Sequence, residues 1–269
     1  MERKIKWKKI LYEDQGVPDN FVDDTFLEEL KKNLNTRTYH FWPVVVESGV
    51  VTQQVSSICL FVVMFRYMQL DWLSPQWLFA GTLSLAVTGY ILNELVDRQN
   101  NKTTGRTRWD DVKTVFIFVA FGYGLSPVFM TLTDTISTDT IYAMTAFMLL
   151  SNLLFHDYGA DAALVSQSLS LNAAMFASVC LASRLTTTVH AFATITFAVE
   201  MFALWPMLRR KLKKNVVHSQ AAMTAVLGVS AAVAIYTLSG VSALLFVIVH
   251  LFITFVCPAW LIKLQDYKE

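Results

Sequence analysis

The segment HDYGADAALVSQSLSLNAAMFASVCLASRL, residues 156–185, decides the fold class. Its core is apolar and long enough to cross a bilayer, for which roughly 20 mostly apolar residues suffice. Small residues recur at every fourth position along it: Ala162, Ser166, Ser170, Ala174, Ser178 and Ala182. On a helix this row forms a groove with little side chain in it, and in lipid such grooves let helix backbones approach closely. The segment is predicted to be the central helix of a membrane bundle, with Asn172 as a polar group at membrane depth.

The composition of the whole chain agrees with a membrane bundle. Of its 269 residues, 54% are hydrophobic and 16% are charged, whereas a soluble domain carries about 25% charged residues. Eight stretches are apolar and long enough to span a bilayer: 50–70, 76–96, 112–132, 138–155, 161–183, 188–208, 216–236 and 241–262. The sequence therefore predicts an all-α, polytopic membrane helix bundle with about eight transmembrane helices and short connections.

Two polar segments flank the predicted eight-span domain, which covers residues 49–262. Residues 1–48 are expected to form a cytosolic N-terminal segment with a short amphipathic helix, because Thr25 and Glu28 match a capping box and apolar residues follow on one side. Residues 263–269 are expected to form a short cytosolic tail.

The distribution of Lys and Arg predicts the orientation, because these residues accumulate in cytosolic loops. If the N-terminus is cytosolic, the cytosolic segments contain 19 Lys and Arg residues and the opposite loops contain one, Arg184. This asymmetry predicts that both termini are cytosolic and that the number of spans is even. The glycosylation sequon at Asn101 then lies in the cytosol, where it stays unmodified.

Charged and aromatic residues at the predicted cytosolic rim suggest contacts with lipid headgroups. The candidates are Arg98, Arg106, Arg108, Trp109 and Asp157. Paired Arg side chains can bind a phosphate through two parallel hydrogen bonds, and Trp is typical of the headgroup level. The alternative interpretation is ordinary positive-inside anchoring with solvated carboxylates.

Two further sets of ionisable residues allow rival functions. Asp157 and Asp161 are four residues apart, so a continuous helix would place both on one face, where they could hold a divalent cation in a metal-dependent transferase. Glu200 and His250 fall near the middle of two spans, and an ionisable residue inside a membrane favours a functional role. A transporter or flippase would use these two residues.

No soluble catalytic machinery is encoded. The sequence has no G-x-S-x-G elbow, P-loop, G-x-G-x-x-G turn or H-E-x-x-H motif, and its three cysteines are dispersed through predicted spans. Accordingly no cofactor, metal site or nucleic-acid partner is predicted. A nucleotide-sugar donor would require a substantial binding domain, so any glycosyltransferase chemistry would have to come from a partner.

Five long strings resemble the PIG-C family, whose members are the C subunits of the phosphatidylinositol N-acetylglucosaminyltransferase complex. The strings are WKKILYEDQGVPDNFVDDTFLEEL (7–30), RTRWDDVKT (106–114), STDTIYAMTAFMLL (137–150), DYGADAALVSQSLSLNAAMFASVCLASRL (157–185) and FALWPMLRRKLK (202–213). Residues 214–262 match that family by hydropathy more than by sequence. The resemblance covers nearly the whole chain and is far more specific than a short motif.

The resemblance implies a multi-pass protein of the endoplasmic reticulum membrane that acts in the first step of GPI-anchor synthesis. The complex transfers GlcNAc from UDP-GlcNAc to phosphatidylinositol on the cytosolic face. The implied partners are the catalytic A subunit, the H, P, Q and Y subunits, and a small regulatory protein shared with dolichol-phosphate mannose synthase. The family supplies no catalytic residue, so the expected role is a scaffold that helps to present phosphatidylinositol.

Overall fold

The computed structural model describes residues 39–99, 108–159, 166–216 and 219–266, together with Tyr12, Asp14 and Gly16. The contacts divide the chain into two units, Met1–Tyr39 and His40–Glu269. The predicted amphipathic helix of the first unit lies outside the described residues. The fold below is that of the second unit.

The described part of the second unit is entirely helical apart from its connections. Its α-helices are α1 (Phe41–Gln69), α2 (Pro75–Gln99), α3 (Arg108–Thr131), α4 (Thr138–Phe155), α5 (Gln167–Ala182), α6 (Thr188–Val199), α7 (Trp205–Asn215), α8 (Ser219–Leu238), α9 (Gly240–Leu251) and α10 (Cys257–Asp266). Two π-helical turns, Glu200–Leu204 and Phe252–Val256, join α6 to α7 and α9 to α10. The ten helices therefore form eight rods.

Each predicted span coincides with one of these rods, and six rods are long and apolar enough to cross a membrane. The six are Phe41–Gln69, Pro75–Gln99, Trp109–Thr131, Thr188–Asn215, Ser219–Leu238 and Gly240–Gln265. The α5 helix is shorter, at 16 residues, and the segment before it, 160–165, lies outside the described residues. The chain is thus an all-α, multi-pass membrane bundle, while eight crossings and cytosolic termini stay predictions.

Hydroxyl side chains start several of the rods. Ser137, Ser166, Thr187 and Ser239 each accept a hydrogen bond from the backbone N–H three residues later, at 3.3–3.4 Å. Such N-caps satisfy backbone donors that have no partner within the helix. Loop hydroxyls therefore fix where these rods begin.

Proline accounts for both π-helical turns. Trp205 N–H donates to the carbonyl of Glu200, and Pro206 follows directly; Cys257 N–H donates to the carbonyl of Phe252, and Pro258 follows directly. Because Pro has no N–H, the regular hydrogen-bond ladder is interrupted at these points. The widened turn lets each rod continue through the proline.

Three rods share the interior of the bundle. In the central apolar window of α1 and of the α6–α7 rod, 61% of the residues are buried, and α5 buries 8 of its 16 residues. The corresponding windows of α2, α3, α8 and the α9–α10 rod are only 6–17% buried. These four outer rods carry exposed Leu, Val, Ile and Phe side chains, which suit lipid or other transmembrane helices.

Exposed tryptophans mark the two ends of the bundle. Trp42 and Trp109 lie at the start of α1 and α3, whereas Trp72 and Trp77 lie in or beside the connection from α1 to α2. Tryptophan is enriched at both membrane–water interfaces. The end with Trp42 and Trp109 is the one that the charge distribution assigns to the cytosol.

Candidate functional site

Basic residues at the end of α7 connect this helix to its neighbours. Arg210 Nη1 lies 2.9 Å from Asp157 Oδ2 in the connection after α4. Lys211 Nζ lies 2.6 Å from both Asp97 Oδ2 and Asn93 Oδ1 on α2. The segment 209–213, called here the basic end of α7, thus connects elements that are far apart in sequence through ion pairs and hydrogen bonds.

Lys213 extends these connections to a third element. Its Nζ lies 3.6 Å from Glu47 Oε1 near the start of α1, although the Glu47 side chain is 72% exposed. Exposed pairs of this kind contribute little free energy, about 0–1 kcal/mol. The half-buried Lys211–Asp97 pair is therefore the stronger restraint on position.

Arg209 differs from its neighbours because it points into the bundle and is 2% exposed. Its Nη2 lies 2.7 Å from His156 Nε2, and its Nη1 donates to the carbonyl of Val50 at 3.4 Å. Among the described residues, no carboxylate lies within ion-pair distance of this guanidinium. Within the described residues, the bundle therefore holds a buried positive charge without a directly paired carboxylate.

His156 is held in its neutral form. Burial lowers its pKa to about 4, the positive charges of Arg209 and Arg210 act in the same direction, and Asp157 opposes them. Since arginine can only donate, the Nε2 atom of His156 must accept the hydrogen bond. The imidazole is therefore neutral and leaves the charge on Arg209.

A second polar layer lies one helical turn deeper. Gln54 Nε2 donates to Asn152 Oδ1 at 2.8 Å, and Asn152 Nδ2 donates at 2.9 Å to the carbonyl and to the hydroxyl oxygen of Ser170. The Ser170 hydroxyl donates in return to the carbonyl of Asn152 at 2.9 Å. These bonds join α1, α4 and α5 inside the apolar bundle.

A third group of polar contacts joins α1 to α8. Gln53 Nε2 donates to Thr224 Oγ1 at 2.8 Å and to the carbonyl of Gln220 at 3.2 Å. Gly49 lies opposite, and a Cβ atom built on it would be 2.6 Å from Thr224 Oγ1. Only glycine allows the two backbones to approach this closely here.

Together, Arg209, His156, Gln53, Gln54, Asn152, Ser170, Gln220 and Thr224 form the polar core of the bundle. Several buried atoms in it have no hydrogen-bond partner: Gln53 Oε1, Gln54 Oε1, Arg209 Nε and both terminal atoms of the Gln220 amide. Buried polar groups are normally satisfied. Unused donors and acceptors in a core that also holds a buried positive charge can bind an anionic or hydroxylated group.

The predicted headgroup residues are dispersed along the rim. Arg98 Nε lies 3.5 Å from Glu94 Oε1 in an exposed pair, and Trp109 is 71% exposed. Arg108 is the first residue of α3, and Arg106 lies outside the described residues. Asp157 pairs with Arg210 instead of contacting Arg98 or Trp109. Headgroup binding by this set stays a prediction.

The predicted small-residue row is mostly buried inside the chain itself. Ala162 lies outside the described residues and Ser166 caps α5, while Ser170, Ala174, Ser178 and Ala182 are buried. Helix α5, which carries these four residues, contacts α3, α4, α6 and the π-helical turn after α6. Asn172, in contrast, is exposed on the outer face of α5.

The residues of a metal-dependent transferase are not assembled in the described structure. Asp157 lies in a non-helical connection after the end of α4, and Asp161 lies outside the described residues, so the placing of both carboxylates on one helix face stays a prediction. In the part of the chain that the structure describes, no three His, Cys, Asp or Glu side chains are grouped to hold a metal ion.

Glu200 and His250 occupy different rods. Glu200 opens the first π-helical turn, and its Oε2 is buried without a hydrogen-bond partner. His250 packs against Phe246 and Gly228, and its Nδ1 is likewise without a partner. No hydrogen bond or ion pair joins these two described residues, so a transporter or flippase that uses both of them has no direct contact between them in the described structure.

Comparison with known proteins places the chain in a family. The sequence profile of the GPI2 family, described as phosphatidylinositol N-acetylglucosaminyltransferase, matches residues 7–269. The chain belongs to this GPI2 family. No solved structure matches it significantly.

Curated relatives of this GPI2-family chain carry a consistent name. The C subunit of phosphatidylinositol N-acetylglucosaminyltransferase is 52% identical in Rattus norvegicus and 50% identical in Homo sapiens, each over 99% of this chain and 90% of the relative. The GPI2 subunit of the same transferase in Schizosaccharomyces pombe is 37% identical, over 100% of this chain and 85% of the relative. These homologues are named as subunits of the enzyme that performs the first step of GPI-anchor synthesis.

Several fully buried polar residues of this GPI2-family chain, among them Gln53, Gln54 and Arg209, were not identified from the sequence. The string TQQVSS, residues 52–57, carried the signal, because polar residues within a span usually face the interior of a bundle. Arg209 was counted only as one of the cations of a cytosolic loop. A run of five cations within six residues does not show which one points into the bundle, because the direction of each side chain depends on the rotation of the helix.

Proposed function

We propose that this chain is the multi-pass scaffold subunit of a phosphatidylinositol N-acetylglucosaminyltransferase complex in the endoplasmic reticulum membrane. The observation that carries the proposal is 50–52% identity to named C subunits over nearly the whole chain. The geometry agrees with a scaffold. Ion pairs and hydrogen bonds join the helices to one another, while four outer rods expose apolar faces. Catalysis would then lie in a partner.

The partners proposed for these outer faces are the catalytic A subunit, the H, P, Q and Y subunits, and the small regulatory protein shared with dolichol-phosphate mannose synthase. Rods α2 and α3 offer long faces of this kind, with 11% and 6% of their apolar windows buried. In lipid, van der Waals packing and interhelical hydrogen bonds drive the association of helices. Faces that are poorly covered within this chain are available for such packing.

We further propose that the chain presents phosphatidylinositol at the cytosolic rim. Arg98, Arg106, Arg108 and Trp109 would contact the headgroup region, and Asp157 would position the basic end of α7 through its pair with Arg210. If the acceptor hydroxyl is held within reach of a catalytic partner, transfer is faster because less entropy must be lost on reaction. No catalytic group of this chain is needed for that role.

One purification tests the proposed function. The tagged chain is isolated from native membranes in mild detergent, the co-purifying proteins are identified, and the preparation is assayed with UDP-GlcNAc and phosphatidylinositol. We expect a multi-subunit transferase whose activity disappears when the catalytic partner is removed. Metal-dependent activity of the chain alone, or movement of substrate by the chain alone, would contradict a scaffold role.

The headgroup residues are tested in the same assay. Replacing both Arg106 and Arg108 with Ala is expected to lower the synthesis of GlcNAc-phosphatidylinositol while the complex stays assembled. Lys113→Ala, an exposed cation on α3, the helix that begins at Arg108, is the matched control and is expected to retain activity. Unchanged activity of the double variant would remove these two residues from the proposal.

A further inference from the structure

Among the described residues, Arg209 is buried without a carboxylate in direct contact, although Asp157 acts on it electrostatically from a longer distance. Removing an ion from water costs free energy that is recovered only through a counter-charge and hydrogen bonds. The acidic side chain that follows His156, Asp157, is already engaged: its Oδ2 pairs with Arg210, and its Oδ1 accepts a hydrogen bond from Gly159 N–H at 2.9 Å. Arg209 therefore has neither solvent nor a described carboxylate as its partner.

The hydrogen-bonding capacity of Arg209 is only partly used. A guanidinium has five N–H donors, yet Nε has no partner and the bond from Nη1 to Val50 is long, at 3.4 Å. The one short contact is that of Nη2 with His156. The remaining donors suit the oxygens of a phosphate, which arginine binds through parallel N–H···O bonds.

Two unsatisfied amide oxygens lie within one helical turn of Val50, whose carbonyl accepts a hydrogen bond from Arg209. Gln53 and Gln54 follow Val50 on α1 by three and four residues, which places them one turn further along the helix from the Arg209 contact. Both side chains are fully buried, and Oε1 of each lacks a partner. An amide oxygen of this kind accepts hydrogen bonds from hydroxyl groups.

The depth of the site matches the headgroup level. Arg209 lies 21 residues after Thr188 on a rod that runs from residue 188 to 215, which corresponds to roughly 32 Å along a helix axis. The hydrocarbon core of a bilayer is about 30 Å thick. Arg209 therefore lies near the boundary between hydrocarbon and headgroups.

We propose that Arg209, with His156 beside it, forms a buried binding site for a phosphate group, and that Gln53 and Gln54 accept hydrogen bonds from hydroxyls of the same ligand. The ligand class is a phosphorylated polyol, either the headgroup of a membrane lipid or a soluble polyol phosphate. The inference rests on the proposed function only for the choice of phosphatidylinositol as the probe. Because Arg209 is 2% exposed, the ligand enters only when the basic end of α7 and the segment around His156 separate.

The test measures binding to the purified full chain in detergent micelles. Phosphatidylinositol, phosphatidic acid, phosphatidylcholine, soluble inositol phosphate and inorganic phosphate are titrated separately, and the rise in Tm reports occupancy. We expect phosphatidylinositol to bind more tightly than phosphatidic acid and phosphatidylcholine. Inositol phosphate binding as tightly as the lipid would support the site and assign a soluble source.

Arg209→Lys is the decisive variant, because it keeps the charge and loses the planar donor pair. It is expected to weaken phosphatidylinositol binding by roughly tenfold to a hundredfold, the effect of losing a hydrogen bond to a charged group. Lys214→Ala, an exposed cation on the same helix, is the matched control and is expected to bind normally. Gel filtration and circular dichroism establish that each variant is folded before titration.

Three results would overturn the inference. Wild-type affinity in Arg209→Lys would exclude a phosphate contact, and equal binding of phosphatidic acid and phosphatidylinositol would exclude the hydroxyl contacts. If Asp161→Asn lowers Tm and no added phosphate compound raises it, the group that neutralises Arg209 is a carboxylate of this chain and not a bound phosphate. If the chain fails to co-purify with a transferase, the proposed function is lost, yet the titration still decides the phosphate site.

Discussion

The Nη2 atom of Arg209 lies 2.7 Å from the Nε2 atom of His156, a residue 53 positions earlier in the chain. This contact joins the end of α7 to the end of α4, and it fixes the neutral form of the imidazole because Nε2 must accept. It also marks the outermost layer of a polar core that continues inward through Asn152. Within an apolar bundle, such directional bonds specify which helix faces meet, whereas contacts among aliphatic side chains are less selective.

The neutral His156 predicts a pH dependence of stability. Its pKa is about 4 in the folded chain and 6.5 without the fold, because burial and the charges of Arg209 and Arg210 disfavour protonation more than Asp157 favours it. The unfolded chain therefore binds the proton more readily between these values, so stability is present above pH 6.5 and falls as the pH is lowered toward 4.

The measurement is the Tm of the purified chain in detergent, followed from neutral pH down toward the lowered pKa of His156 and compared with His156→Gln. The variant is expected to show a shallower decrease, since its amide does not titrate. His40→Gln, at an exposed histidine before α1, serves as the control and should decline like the wild type. Parallel curves for wild type and His156→Gln would show that another group controls the acid transition.

Asn152 is expected to be the most sensitive member of the second polar layer. Asn152→Leu removes the partner of Gln54 and two hydrogen bonds to Ser170. Leaving a buried polar group unsatisfied costs about 1–3 kcal/mol, so Tm should fall clearly. Asn172→Leu makes the same change on the exposed face of α5 and should leave the isolated chain as stable as before; similar losses at both sites would refute the distinction.

The small-residue row on α5 should tolerate no enlargement. Ala174 is fully buried and Ser170 is 2% exposed, so Ala174→Leu or Ser170→Leu forces neighbouring helices apart, at about 1–3 kcal/mol or more. Reduced Tm and reduced recovery of the complex are expected, with larger effects than any single charge removal. Ser168→Leu, at an exposed position of the same helix, is the control. Normal assembly of both buried variants would show that the row is not a tight packing surface.

Replacing Gly49 with alanine is expected to cause a local clash between α1 and α8. In Gly49→Ala, the new Cβ would lie 2.6 Å from Thr224 Oγ1, whose position is fixed by bonds to Gln53 and to the carbonyl of Gln220. The helices must shift, so Tm should decrease even though alanine favours helices more than glycine does. Gly81→Ala, which meets no atom within 4 Å, should be neutral or slightly stabilising, and a comparable decrease there would contradict the packing argument.

Much of the fold could be predicted because its signals are local. The apolar windows and the short connections predicted eight helical rods, and each has a counterpart in the structure. The π-helical turns at Pro206 and Pro258 were not predicted, since proline in a span indicates a disturbance but not its form. Asp157 lies in a non-helical connection after α4, in the gap between the predicted spans 138–155 and 161–183.

The candidate site depended on information that is not local. The basic string at 209–214 and the polar string at 52–57 were both visible, but nothing in either string says that Arg209 meets His156 or that Gln54 meets Asn152. Those pairs join residues 53 and 98 positions apart. Their formation depends on how each rod is rotated about its axis, and this rotation is fixed only when the rods pack together.

The sequence by itself determined that this protein is a multi-pass helical membrane protein of the GPI2 family, because hydropathy and sequence similarity are properties of the chain. Only the tertiary structure showed that the helix carrying the small-residue row of residues 156–185 packs against other helices of the same chain. It also decided that one arginine of a basic run points inward. The physical reason is that a membrane restricts each span to a helix but leaves its rotation and neighbours free, and these are fixed only when several rods bury their polar groups together.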